Sequence, residues 1–224
     1  MAQAREGIPL HLEVGAAVLE AAEIPLAPWR RVSDTQYAKE AVEALEPPLV
    51  MKIDSPQISH KSDVGGVVTG LRGVDAVVTA HKEMVARVAE TRPEAEVRGV
   101  TLHEQVSGVE LVLGMIRDPQ FGPVVMVGLG GVFVEVLEDL SFRVAPFDSG
   151  EARAALDELR GAQLLDGFRG GARVDRGAVA QAMVSLGETA LALPQLEEVD
   201  LNPVMASESG VLVADVRMVK KGRG

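Results

Sequence analysis

Segments of helical and strand periodicity alternate along this chain without a regular strand–helix–strand repeat, and that irregular interleaving restricts it to mixed-sheet architectures. Leu12, Ala16, Leu19 and Ala22 fall at helical spacing and stop before Pro25, and a short extended stretch follows over 27–32. A second helix, capped by Ser33 or Asp34 and striped by Tyr37, Ala41, Val42 and Leu45, must end at Pro47-Pro48. Leu49 to Ile53 and Val67 to Leu71 read as strands around a polar loop, and a third helix over 75–90 carries Val78, His81, Val85 and Val88. Beyond Pro93 the pattern is strand-rich from 98 to 145, then helical over 151–160 and 176–193, then a final pair of strands. A doubly wound parallel sheet needs a helix after each strand, so the pattern predicts an α/β or α+β fold with mixed sheets.

Composition removes several function classes. Nearly half the residues are apolar (47%), enough for a sizeable core in 224 residues, and there is no cysteine to supply a thiolate metal site or a thiol nucleophile. The first seven residues lack the basic-then-apolar order of a secretory signal and no apolar run is long enough to span a bilayer, so a soluble, cytoplasmic protein is expected. A formal net charge of -11 and an aromatic content of 3% argue against nucleic acid as a partner. The same field repels ATP, so a nucleotide site here needs its own lysines, main-chain donors and a metal ion.

The loop from Asp54 to Gly66 supplies such groups. Lys52 precedes it, and Ser55, His60, Lys61 and the Gly65-Gly66 pair lie within it. Ammonium groups offset phosphate charge, and glycines let backbone N–H groups approach phosphate oxygens. Two readings fit: a phosphate-binding loop, or a solvated loop beside a strand whose polar face happens to carry Lys52. The P-loop pattern is absent, and Gly128-Leu-Gly-Gly-Val-Phe133 lacks the last glycine of the dinucleotide fingerprint.

Near the C-terminus, Ser207-Glu-Ser-Gly210 reads as a turn between two strands. If that turn is symmetric, residue numbers across the ladder sum to 417, which sets Asn202 opposite Asp215 and puts Asp200 on the same face. Two carboxylates and an amide oxygen suit Mg²⁺, which binds through few protein oxygens plus phosphates. A solvent-facing hairpin with ordinary turn residues is the other reading. In the middle of the chain Glu104 and Glu110 flank Gln105 to Val109, a connection that could act as a hinge presenting backbone amides to an adenine edge and a carboxylate to ribose, or could be a surface turn. Glu135 shares a strand face with Phe133 and Leu137, as a partly buried carboxylate needing a partner or as an edge-strand charge. His11, His81 and His103 stand in no motif.

Taken in order, Val50-Met-Lys-Ile-Asp-Ser-Pro56, His60-Lys-Ser-Asp-Val-Gly-Gly-Val67, Gly108-Val-Glu110 with Asp118-Pro-Gln-Phe-Gly-Pro123, Gly128-Leu-Gly-Gly-Val-Phe-Val-Glu135, and Asp200-Leu-Asn-Pro203 with Asp215 resemble the ATP-grasp (beta) component of ADP-forming acetyl-CoA and acyl-CoA synthetases. That component is more distantly similar to the succinyl-CoA synthetase beta subunit. The resemblance implies one ATP-grasp domain over 1–224, two lobes clasping ATP, with a smaller lobe over 24–100 and a larger one over 101–220. It implies that Lys52, Ser55 and Lys61 reach ATP phosphates, that Glu104, Val106 and Glu110 surround adenine and ribose, and that Asn202 and Asp215, with Asp200, hold magnesium. It further implies a ligase active with a CoA-binding alpha subunit that carries a catalytic histidine, and a phosphoryl relay through His60. Glu23-Ile-Pro25 departs from the Gly-Ile-Pro common in relatives and should affect the turn after the first helix. The alternatives are a stand-alone carboxylate–amine ligase of the same fold and a non-catalytic nucleotide-sensing module.

Overall fold

The computed structural model describes residues 7–58, 60–131, 139–167 and 173–222. The chain forms two compact units, one of Ala27–Gln105 and one of Met1–Leu26 with Val106–Gly224. Among the described residues no helix is long and apolar enough to cross a membrane.

In the smaller unit, β2 (Trp29–Val32), β3 (Leu49–Ile53), β4 (Val67–Leu71) and β5 (Val100–Glu104) form one antiparallel sheet in the order β2-β5-β3-β4. Alternation assigns its faces. Leu49, Met51 and Ile53 on β3 and Val100 and Leu102 on β5 are buried with α2 (Ala38–Glu43) and α3 (Val74–Thr91). On α3 the buried residues are Val77, Ala80, His81, Met84 and Val88, whereas Val78 and Val85 are only half-buried, so the stripe is rotated from the expected one. Ala80 and Met84, a small and an adaptable side chain, fill the space there. Burial lowers the pKa of His81 against the opposing pulls of Asp34 and a hydrogen bond to the Val32 backbone, which favours the neutral ring. Tyr37 is exposed instead of lying on the α2 stripe. A 3-10 turn over Thr35–Tyr37, with the Asp34 carboxylate accepting from the Gln36 N–H at 3.0 Å, precedes α2; its tighter winding gives the buried position to Ala38.

In the larger unit, β1 (Ile8–Pro9), β6 (Val109–Asp118), β7 (Gly122–Leu129), β8 (Leu140–Val144), β9 (Leu196–Ser207), β10 (Gly210–Val213) and β11 (Val216–Lys220) form a second sheet. Its order is β1-β11-β9-β6-β7-β8, with β10 pairing β9. All named strand pairs are antiparallel, which gives the mixed α/β fold its α+β form. One face of this sheet packs on α1 (Leu12–Ala21), α4 (Ser149–Asp157) and α5 (Arg176–Ala192), burying Leu19, Leu156, Met183 and Leu186 with Leu113, Met115, Val127 and Leu201. Arg117 on β6 donates to the carbonyls of Ala190 and Leu193 and so caps the C-terminus of α5, where backbone acceptors lack helical partners. Arg143 on β8 forms a two-bond pair with Glu158 after α4; that pair, with a hydrogen bond from Ser141, holds the Glu158 carboxyl down to about 2.

The turn after α1 carries the departure noted at Glu23. The Ile24 N–H bonds the Leu19 carbonyl at 2.9 Å, closing the helix with a left-handed residue, and that residue is Glu23 at φ 55. A side chain in this conformation costs about 1–2 kcal/mol, against about 0.5–1 kcal/mol for the extra chain entropy of glycine. Glu23→Gly should therefore stabilise the protein by up to about 1 kcal/mol, raising Tm by roughly 2–4 °C in thermal denaturation. An unchanged or lowered Tm would mean that the Glu23 side chain contributes contacts worth as much as the strain.

Candidate functional site

In the smaller unit, Lys52 projects from the face of β3 opposite the core, yet is only 7% exposed. It lies across from Thr101 on β5 and Val67 on β4. Thr101 and His103, both buried, share this face; His103 Nε2 lies 3.0 Å from the Thr101 hydroxyl, and its ring stacks on Trp29 at 6.2 Å. This polar and aromatic strip was not singled out from the sequence, although alternation along Val-Thr-Leu-His from Val100 carries the signal.

The loop after β3 is tied down at several points. Asp54 is ion-paired with Arg31 and exchanges backbone hydrogen bonds with Arg98 and Gly99. Ser55 is buried and its hydroxyl bonds Gln57, whose side-chain oxygen also accepts from the Glu96 N–H at 3.1 Å. Ser55 is thus held within the loop base. His60 is exposed and opens a 3-10 turn over Lys61–Val64, with Lys61 half-buried. The Gly65-Gly66 pair closes the loop for two reasons. Gly65 adopts φ 64, and a Cβ on Gly66 would come within 2.6 Å of Ile53 and 2.9 Å of the Lys61 carbonyl. Arg87 on α3 donates to the Gly65 carbonyl at 3.2 Å.

Glu104 ends β5, and its carboxylate accepts from the Glu46 N–H at 2.9 Å. The boundary between the units falls between Gln105 and Val106, so Val106 and Glu110 belong to the larger unit. There the Gly130 N–H bonds the Glu110 carbonyl at 2.6 Å, and a Cβ on Gly130 would meet Glu110 backbone at 2.8 Å. A Cβ on Gly131 would lie 3.1 Å from a Glu110 carboxylate oxygen. Gly130 and Gly131 thus admit Glu110. Glu135 and Phe133 lie outside the described residues.

The C-terminal strands keep one register from the turn to the Glu198–Val219 pair, beyond which a bulge sets Lys220 against Leu196. Ser207 pairs Gly210, Val204 pairs Val213, Leu201 pairs Val216 and Asp200 pairs Arg217, so numbers sum to 417 on both sides of Asn202 and Asp215. The Asn202 N–H bonds the Asp215 carbonyl at 3.2 Å, and the Asp215 carboxylate accepts from the Val216 N–H at 3.0 Å. Along β9, Val199, Leu201 and Val204 are buried, while Asp200 is half-buried and Asn202 exposed on the other face. Among the described residues no group of three or more His, Cys, Asp or Glu is arranged to hold a metal ion. The oxygen set of Asp200, Asn202 and Asp215 suits a cation that completes its shell with water and phosphate oxygens, as Mg²⁺ does.

A family model described as the ATP-grasp domain matches residues 2–219. This chain belongs to the ATP-grasp domain family. The domain is 38% identical to the beta subunit of ADP-forming acetate–CoA ligase I of Pyrococcus furiosus, over 96% of this chain and 93% of that subunit. It is 41% identical to ADP-forming acetate–CoA ligase I of Archaeoglobus fulgidus over 92% of this chain, but spans only 30% of that longer protein. Among solved structures it resembles the dinucleotide-forming acetyl-coenzyme A synthetase 1 of Ca. Korarchaeum cryptofilum. In the complex with coenzyme A, Ca-AMPCP and HgCl+ the TM-score is 0.91 at 39% identity, covering 95% of this chain and 93% of that one. The same protein with coenzyme A and Mg-AMPPCP, its phosphohistidine segment pointing towards the nucleotide binding site, matches at 37% identity and TM-score 0.80, with the same coverage.

Proposed function

We propose that this chain is the nucleotide-binding component of an ADP-forming acyl-CoA synthetase, interconverting acyl-CoA, ADP and phosphate with carboxylic acid, ATP and CoA in concert with a CoA-binding alpha subunit. The observation that carries the reading is the near end-to-end match to a beta subunit, in a chain that carries Lys52 on a buried polar sheet face and the oxygen set of Asp200, Asn202 and Asp215 at β9 and the entry to β11.

In this reading phosphoryl passes from a histidine of the partner to His60 and from His60 to ADP. At the first transfer one P–N bond breaks as a second forms on the His60 ring. At the next, a terminal oxygen of ADP attacks phosphorus, the His60 P–N bond breaks, and ATP and the free imidazole result. Lys52 holds charge on the transferring phosphoryl oxygens, with Ser55 and Lys61 shaping the loop around phosphate. Glu104, Val106 and Glu110 receive the adenosine. Asn202 and Asp215, with Asp200, hold a magnesium ion, which when bound offsets phosphate charge. Acyl and CoA selectivity then rest with the partner.

Nucleotide titration calorimetry tests the metal assignment. Asp215→Asn should weaken ADP binding by at least about tenfold in excess Mg²⁺ and change little in EDTA. Equal affinity of variant and wild type at all Mg²⁺ concentrations would remove Asp215 from the site.

A further inference from the structure

Among the described residues, the larger sheet gathers exposed apolar side chains on one face. On β6, β7 and β8 the face opposite the helices presents Ile116, Val124 and Val144 in one cross-strand row and Met126 and Phe142 in the next. Ile116 is 55% exposed, Phe142 52% and Val144 48%, and Phe121, in the turn that joins β6 to β7, is 60% exposed. These four are half of the eight large apolar side chains exposed among the described residues. Solvated apolar side chains gathered on one sheet face mark an interaction surface, whereas single ones scattered over a protein do not. The strand beneath is firmly held, because Arg143 and Ser141 on the other face of β8 are bonded to Glu158.

The register connects this area to the metal-ligand set. Asp200 on β9 pairs Gly114 on β6, Gly114 pairs Met126 on β7, and Met126 pairs Phe142 on β8. Asp200 and Phe142 therefore share a face and a row, three strand spacings or roughly 14 Å apart. A chain seated on Phe142 and Val144 is within reach of the phosphate end of a nucleotide bound at Asp200 and Asn202.

We propose that this face docks the CoA-binding alpha chain, an inference that rests on the function proposed above. Two observations favour that occupant over a second copy. Each copy carries a formal net charge of -11, so self-association through this face brings like charges together. The same domain occurs as nearly all of a subunit called beta in one relative and as 30% of a longer chain in another, so further polypeptide accompanies it in either arrangement.

The test measures association of the full chain with a CoA-binding alpha chain from the same genome, supplied separately, by analytical ultracentrifugation. Phe142→Glu and Val144→Glu should each weaken association at least about 30-fold, as loss of an interface anchor does, while Mg-ATP binding by calorimetry stays at the wild-type value. Leu191→Glu, at an apolar side chain exposed on α5, should leave association unchanged. Wild-type association by the Phe142 and Val144 variants overturns the proposal, as does self-association of the wild-type chain that these variants abolish. A wild-type chain that binds Mg-ATP and no alpha chain refutes the partner reading itself, and this placement with it.

Discussion

His60→Ala is expected to abolish acyl-CoA-driven ATP synthesis in the presence of the alpha chain while leaving nucleotide affinity within a factor of about two. The side chain is exposed at the start of a short 3-10 turn and makes no capping hydrogen bond there, so its removal should spare the fold. The remainder of the loop is held independently by Gly66, Asp54 and Gln57. A residue that carries the phosphoryl group cannot be replaced by one that merely neutralises charge, so His60→Lys should be as inactive as His60→Ala. Turnover near the wild-type rate in either variant would remove His60 from the relay. Steady-state assay with the alpha chain, beside calorimetry on the isolated chain, separates the two quantities.

Lys52→Met should give the second large effect, a loss on the order of 10²–10³-fold in turnover, the range seen when one preorganised donor to developing charge is removed. Lys52 is 7% exposed, so the loss of rate is read beside stability on the same protein. A lysine that serves phosphate loses rate far more than stability, whereas a structural lysine loses stability with little change in rate. Thermal denaturation and turnover on the same preparation give both numbers. A Tm drop of several degrees with modest loss of rate would assign Lys52 to the sheet instead of to phosphate.

What could be read in the sequence divides along physical lines. β3 and β4 agree with their expected bounds, because strands bounded by Pro-Pro, a polar loop and glycines leave little freedom of phase. The register of the C-terminal strands follows from one short turn, since an antiparallel ladder propagates its pairing from the point of reversal. Helix phase was less legible. On α3, Val77 and Met84 take the core in place of Val78 and Val85, and hydrophobicity, equal among the valines, does not distinguish the two phases. Tyr37 left its expected stripe because a 3-10 turn, invisible to 3.6-residue counting, precedes the helix.

The candidate site shows the same division. Lys52, the loop glycines and the Asp200–Asn202 face are local in sequence, so motif and alternation expose them. Thr101, His103 and Trp29 become neighbours of the Lys52 face only through pairing of β2 and β3 with β5, a long-range choice that no window of sequence contains. Gly130 was singled out for a different motif; its fit against Glu110 depends on the pairing of β6 with β7. The Glu23 substitution was visible in sequence as a departure from glycine, but its left-handed conformation required the structure.

The central claim is that this chain passes phosphoryl groups between nucleotide and histidine, and protein-bound label tests it most directly. The chain is incubated with Mg²⁺ and γ-labelled ATP, with and without the alpha chain, and protein-bound phosphate is assayed for stability to acid and base. Acid-labile, base-stable label on the wild-type chain and none on His60→Ala is the predicted result. Tight Mg²⁺-dependent ATP binding with no such label, even with the alpha chain present, would contradict the account.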